Sequence, residues 1–193
     1  MIENIINEIR TIISDVATDF DTKDEDLYNL VDVEDGDDYN FIIDSLYLLE
    51  DTELAKDSFK NTSLNSYDFG FLYLLFYGVL NAAYMQQQAI IVICQKMNLI
   101  DNLKSLKEPE IFDFRNSFAA HSANRGGRET KRHSFILDRH ELSRGNISGY
   151  SANHENGFKA QDSNIYELLD AWDSVLSKQL KIVLHKIKAR VVA

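Results

Sequence analysis

The chain opens with apolar residues at helical spacing. Ile2, Ile5, Ile6, Ile9, Ile13, Val16 and Phe20 fall three or four residues apart, with acids and asparagines between them, and that period predicts an amphipathic first helix. The pattern dissolves in "DTKDEDLYNLVDVEDGDDYN", which reads as a solvated acidic connector. A calcium loop does not fit there. Setting Gly36 at the sixth loop position puts Val31, Val33 and Ile42 at the first, third and twelfth, where calcium needs oxygen ligands.

A second helix is predicted over about 40–60, with Ile42, Leu46 and Leu49 on one stripe and the turn-forming "NTSLNS" at its end. A third runs from about 67 to 98. Its first half, "FGFLYLLFYGVL", is apolar nearly all round, as expected at the centre of a bundle, and is too short to span a bilayer before Asn81 and three glutamines follow. Pro109 suits the first position of a fourth helix, "PEIFDFRNSFAAH", where its missing N–H costs nothing.

Between about 122 and 162 the helical period is lost; "SFIL" reads as a strand and Asn156-Gly157 as a hairpin turn. A last helix over 164–190 turns Ile165, Leu168, Leu169, Trp172, Val175, Leu176, Val183, Leu184 and Ile187 inward. The expected fold is therefore all-α: an antiparallel up-and-down bundle of about four to five helices, with a long loop or small β-hairpin inserted before the last one. At 193 residues a single domain over 1–193 is expected.

Charge changes this picture in one respect. The net charge is −11, which argues against nucleic-acid binding by the chain as a whole. Its distribution is uneven. Residues 1–57 hold 18 acids and 3 bases, whereas residues 115–144 hold 7 bases and 3 acids together with His121, His133 and His140. A basic lobe on an acidic protein can steer a polyanion. The acidic, isoleucine-rich start lacks the form of a signal peptide, and Cys94 is the only cysteine, so a cytoplasmic location is expected.

Within the basic lobe, "RNSFAAH" places Arg115-Asn116 five residues before His121. Cleaving RNA without a metal needs one group to take the 2′-hydroxyl proton, another to protonate the leaving oxygen, and positive charge at the phosphorane. Histidine serves either proton role near neutrality, and arginine offers a planar, permanently charged fork for phosphate. Six steps on an ideal helix leave Arg115 and His121 roughly 120° apart, so they converge only at a helix end or around a cleft. Arg128 and His133, with four residues between them, have a similar spacing but lie among glycines and charges.

The motif, its place on the penultimate predicted helix and the apolar helix before it resemble the HEPN superfamily, a group of small helical domains that includes metal-independent ribonucleases. The run "YGVLNAAYMQQQA" resembles that of an uncharacterised bacterial branch of the superfamily. The resemblance implies Arg115, Asn116 and His121 as catalytic residues and no cofactor. It also implies a homodimer that apposes two motifs in one composite site, with single-stranded or loop RNA as substrate. A toxin or defence role restrained by an antitoxin or nucleotidyltransferase-like partner is implied in the same way. "AAHSAN" departs from the pattern of many relatives in having no proline after the histidine.

The alternative is a catalytically silent module that binds nucleotide, RNA or a protein as a regulatory subunit. Arg125, Arg128, Lys131 and Arg132, with Arg139 and Arg144, are candidate RNA contacts, and Phe135 or Tyr150 could stack on bases. The competing reading pairs these bases with the acidic N-terminal third. Arg115 has its own bland reading as a surface partner of Glu108, Glu110 or Asp113. Tyr84 and Gln86 to Gln88 are read either as buried hydrogen-bonding groups or as cleft lining. His133, Asp138, His140 and Glu141 do not match a closed zinc site, and no membrane association is expected.

Overall fold

The computed structural model of the protein describes residues 1–19, 21–120, 134–153 and 157–191. The fold is mostly helical, with a small antiparallel sheet before the last helix. Four long helices dominate: α1 (Ile2–Ala17), α3 (Gly36–Lys60), α4 (Phe69–Lys96) and α7 (Ile165–Val191). Three short ones are α2 (Asp24–Val31), α5 (Ile111–Phe114) and α6 (Arg139–Leu142).

Helix α2 lies where the sequence suggested only a connector. Its acids act as helix-start signals: Asp24, Glu25 and Asp26 sit in the first turn, where the helix dipole favours negative charge, and the Asp26 carboxylate accepts the Lys23 N–H at 2.9 Å. Leu30 and Val31 are buried, and Asp32 ends the helix in the left-handed region at φ 62°. Asp35 then accepts the Asp38 N–H at 2.9 Å as α3 begins.

The contacts divide the chain into two compact units, each assembled from separate stretches. The first comprises Met1–Leu54, Met85–Glu108 and Asp173–Ala193. It buries the α1 stripe of Ile2, Ile5, Ile6, Ile9 and Ile13, the α3 stripe of Ile42, Leu46 and Leu49, and Val183 and Ile187 from α7. Gln86 donates to the Glu53 carboxylate at 2.9 Å and Gln87 to the Leu106 carbonyl at 2.7 Å, so both buried amides are satisfied. Four of the acids of this unit pair with bases of α1, α4 and α7. Arg10 pairs with Glu50, Lys96 with Asp38, Lys188 with Glu8, and Lys186 and Arg190 with Asp32.

The second unit comprises Ala55–Tyr84 and Pro109–Trp172. Phe59, Leu72, Phe76, Phe112, Leu142, Ile147, Leu169 and Trp172 are buried in it. Phe76 meets Phe59 edge-on at 5.5 Å, and Phe112 meets Trp172 at 5.0 Å. The sheet has the order β1 (Ser134–Leu137), β2 (Asn146–Asn153), β3 (Gly157–Asn164), antiparallel throughout. "SFIL" is the first strand, as the sequence suggests. β2 and β3 pair from Asn146↔Asn164 to Asn153↔Gly157, and the turn residue Asn156 lies outside the described residues. Gly145, at φ +78°, turns the chain into β2, and the Asn164 side chain accepts the Tyr166 N–H at 3.0 Å as α7 starts.

The structure corrects two readings of helical segments. The "PEIFDFRNSFAAH" helix is α-helical only over Ile111–Phe114 and continues as a π-helix over Arg115–Ala120. The first half of α4 is not enclosed all round. Leu72, Phe76, Val79 and Leu80 are buried, but Leu74 is 65% exposed, and Phe69, Phe71 and Tyr77 are also open. By length and composition the 28 residues of α4 could cross a membrane, more than its apolar core alone suggested.

Candidate functional site

Arg115 is the first residue of the π-helical segment, a winding that is rare and is often found at functional sites. Phe114 and Phe118, four residues apart and both buried, stack at 5.8 Å and fix the inner side of this segment. Arg115 is half-buried against α4. Its Nε donates to Asn81 Oδ1 at 3.1 Å, its Nη1 donates to Asn116 Oδ1 at 3.1 Å, and its guanidinium carbon lies 3.9 Å from the centre of the Tyr84 ring.

The support is itself held. Asn81 Nδ2 donates to the Tyr77 carbonyl one turn back on α4 at 2.8 Å, which turns its oxygen toward Arg115. Asn81 and Tyr84 are three residues apart and therefore neighbours on the helix surface. Together they clamp one edge and one face of the guanidinium.

The electrostatic character of the clamp is decisive. Every contact of Arg115 among the described residues is to an amide oxygen or an aromatic face, and none is to a carboxylate. The pairing with Glu108, Glu110 or Asp113 does not occur. Two of its five N–H groups are used, leaving three without a hydrogen-bond partner among the described residues. The positive charge is thus fixed in direction with no carboxylate among the described residues to neutralise it, the state that suits an anion such as phosphate.

The other expected site residues divide in two groups. Asn116 is brought against Arg115. His121, the second half of the motif, and Arg125, Arg128, Lys131, Arg132 and His133 lie outside the described residues. Of the remaining candidates, Arg144 pairs with Glu141 at 2.9 Å, and Glu141 also accepts from Asn146 at 2.9 Å. His140 packs edge-on against Phe69 at 5.4 Å, and the Arg139 guanidinium lies over the same ring at 5.5 Å. Tyr150 is 43% exposed. Among the described residues no group of three or more His, Cys, Asp or Glu is placed to hold a metal ion.

In the sequence Asn81 stands out only as a polar interruption, and Tyr84 as either a buried hydrogen-bonding group or part of a cleft lining. One signal for Asn81 was available: an amide in the middle of a helix with no charged residue from 69 to 95 needs a partner. Compared with protein-family models, curated proteins and solved structures, the chain matches none.

Proposed function

We propose that the protein is a metal-independent endoribonuclease of HEPN type that acts as a homodimer on single-stranded or loop RNA. The observation that carries this reading is the Arg115 clamp: a guanidinium held by Asn81, Asn116 and Tyr84 without a carboxylate, just ahead of His121 in the chain. A structural arginine in an acidic protein would be expected to take an acid.

In the proposed reaction the 2′-oxygen attacks the adjacent phosphorus as its proton passes to a base. The bond from phosphorus to the 5′-oxygen breaks as that oxygen is protonated. Arg115 stabilises the negative charge that builds on the phosphorane, and Asn116 fixes the guanidinium fork. His121 serves as base or acid, and a second copy of the motif supplies the other proton carrier. The product end is a 2′,3′-cyclic phosphate.

The ends of the product test this reading. Purified protein incubated with total RNA in EDTA is expected to give fragments carrying 2′,3′-cyclic phosphates. RNA bound but left intact would instead identify the silent regulatory module.

A further inference from the structure

We infer that the row Phe69, Tyr73, Tyr77, Asn81 on α4 is a track along which a single-stranded RNA segment reaches Arg115. The nature of the strand rests on the ribonuclease reading; the track itself does not need cleavage to be tested. These residues are four apart, so each is a neighbour of the next on the helix surface, and the row rises about 6 Å per step and about 18 Å in all while winding about 120° round α4. Phe69 is 41% and Tyr77 36% exposed, and the Tyr73 and Tyr77 rings lie 5.8 Å apart. The Tyr73 hydroxyl is directed to the Leu137 carbonyl at 3.5 Å, which steadies the middle of the row.

Charge distinguishes this row from an ordinary greasy face. Five arginines lie among the described residues. Arg10, Arg144 and Arg190 pair with carboxylates, whereas Arg115 and Arg139 have no carboxylate partner among the described residues. Those two stand at opposite ends of the row, Arg139 over Phe69 and Arg115 on Asn81. Of the acids close to Phe69 and Arg139 in sequence, Asp68 accepts the Phe71 N–H at 2.8 Å, Asp138 accepts the His140 N–H at 2.9 Å, and Glu141 pairs with Arg144 at 2.9 Å. Aromatic faces between uncompensated cations are what a single strand requires, since its bases stack on rings and its phosphates take the charge.

The experiment is fluorescence anisotropy of the full chain with a labelled 2′-O-methyl oligouridylate, whose blocked 2′-oxygen cannot attack phosphorus. Phe69→Ala and Tyr77→Ala are each expected to weaken binding about tenfold, while Tyr77→Phe binds as the parent does. Arg139→Gln is expected to lower the slope of log affinity against log salt by about 0.7. Unchanged affinity in both alanine variants would overturn the track. So would conversion of a dimer to monomers by those variants, seen in sedimentation, with affinity per chain unaltered. If the parent chain cleaves no RNA yet loses binding with the rings, the track stands and the ribonuclease reading fails. If cleavage depends on His121 while the ring variants bind normally, the track fails alone.

Discussion

The Arg115 guanidinium lies 3.9 Å from the centre of the Tyr84 ring while its Nε is bonded to Asn81, one turn earlier on the same helix. A face-on aromatic contact attracts the cation without neutralising it, and is worth about 0.5–2 kcal/mol. The clamp therefore orients charge and leaves it available.

Replacing the neutral partner by an acid separates orientation from availability. Asn81→Asp keeps an acceptor on Arg115 and adds an ion pair. The thermal midpoint is expected to hold or rise, while RNA cleavage falls at least about tenfold because the charge now has an internal counter-ion. Melting curves and initial rates on one RNA check both halves. A variant that is equally stable and equally active would remove Asn81 from the account.

Little of this clamp was legible in the sequence. The spacing of Arg115, Asn116 and His121 was visible, but Asn81 lies 34 residues before Arg115, and only the fold brings them together. The long helices were legible because each repeats its apolar residues at helical period. Helix α2 was not, because only Leu30 and Val31 are buried in it and its acids resemble solvated charge until their capping role is seen. The open side of α4 was hidden for the opposite reason. A segment that is apolar all round carries no polar stripe to say which face looks outward. The π-helical winding at Arg115–Ala120 leaves no trace in composition, since the same residues satisfy an α-helix.

Gly145 is the place where a single methyl group should be costly. At φ +78° an added Cβ is strained, and it would meet Tyr166 Cε2 at 2.6 Å. Gly145→Ala is expected to cost more than about 1 kcal/mol in urea unfolding. Combining it with Tyr166→Ala should recover the steric part and leave the backbone part, which a double-mutant cycle resolves.

The aromatic pair Phe112 and Trp172 gives a packing test in the second unit. Trp172 is fully buried and meets Phe112 edge-on. Trp172→Ala is expected to cost about 3–5 kcal/mol, whereas Trp172→Phe retains part of the ring contact and loses less. Denaturant midpoints compare the two.

Cys94 supplies the pH test. Burial pushes its thiol up from 9.0 to about 11, and the Gln179 amide, donating to Sγ at 3.1 Å, opposes that shift only in part. The folded state therefore holds the proton more tightly than the unfolded chain. Its contribution to stability is complete below pH 9 and is lost as pH rises through the folded value near 11. Thiol reagents are expected to react slowly with the native protein at neutral pH and quickly once it is unfolded, because the thiolate is the reactive form.

The most direct test of the central claim is cleavage of one single-stranded RNA in EDTA by the parent chain, Arg115→Ala and His121→Ala at equal protein concentration. Each substitution is expected to lower the rate by about a hundredfold or more, with the folded protein otherwise intact by circular dichroism. Cleavage that survives both substitutions would contradict it.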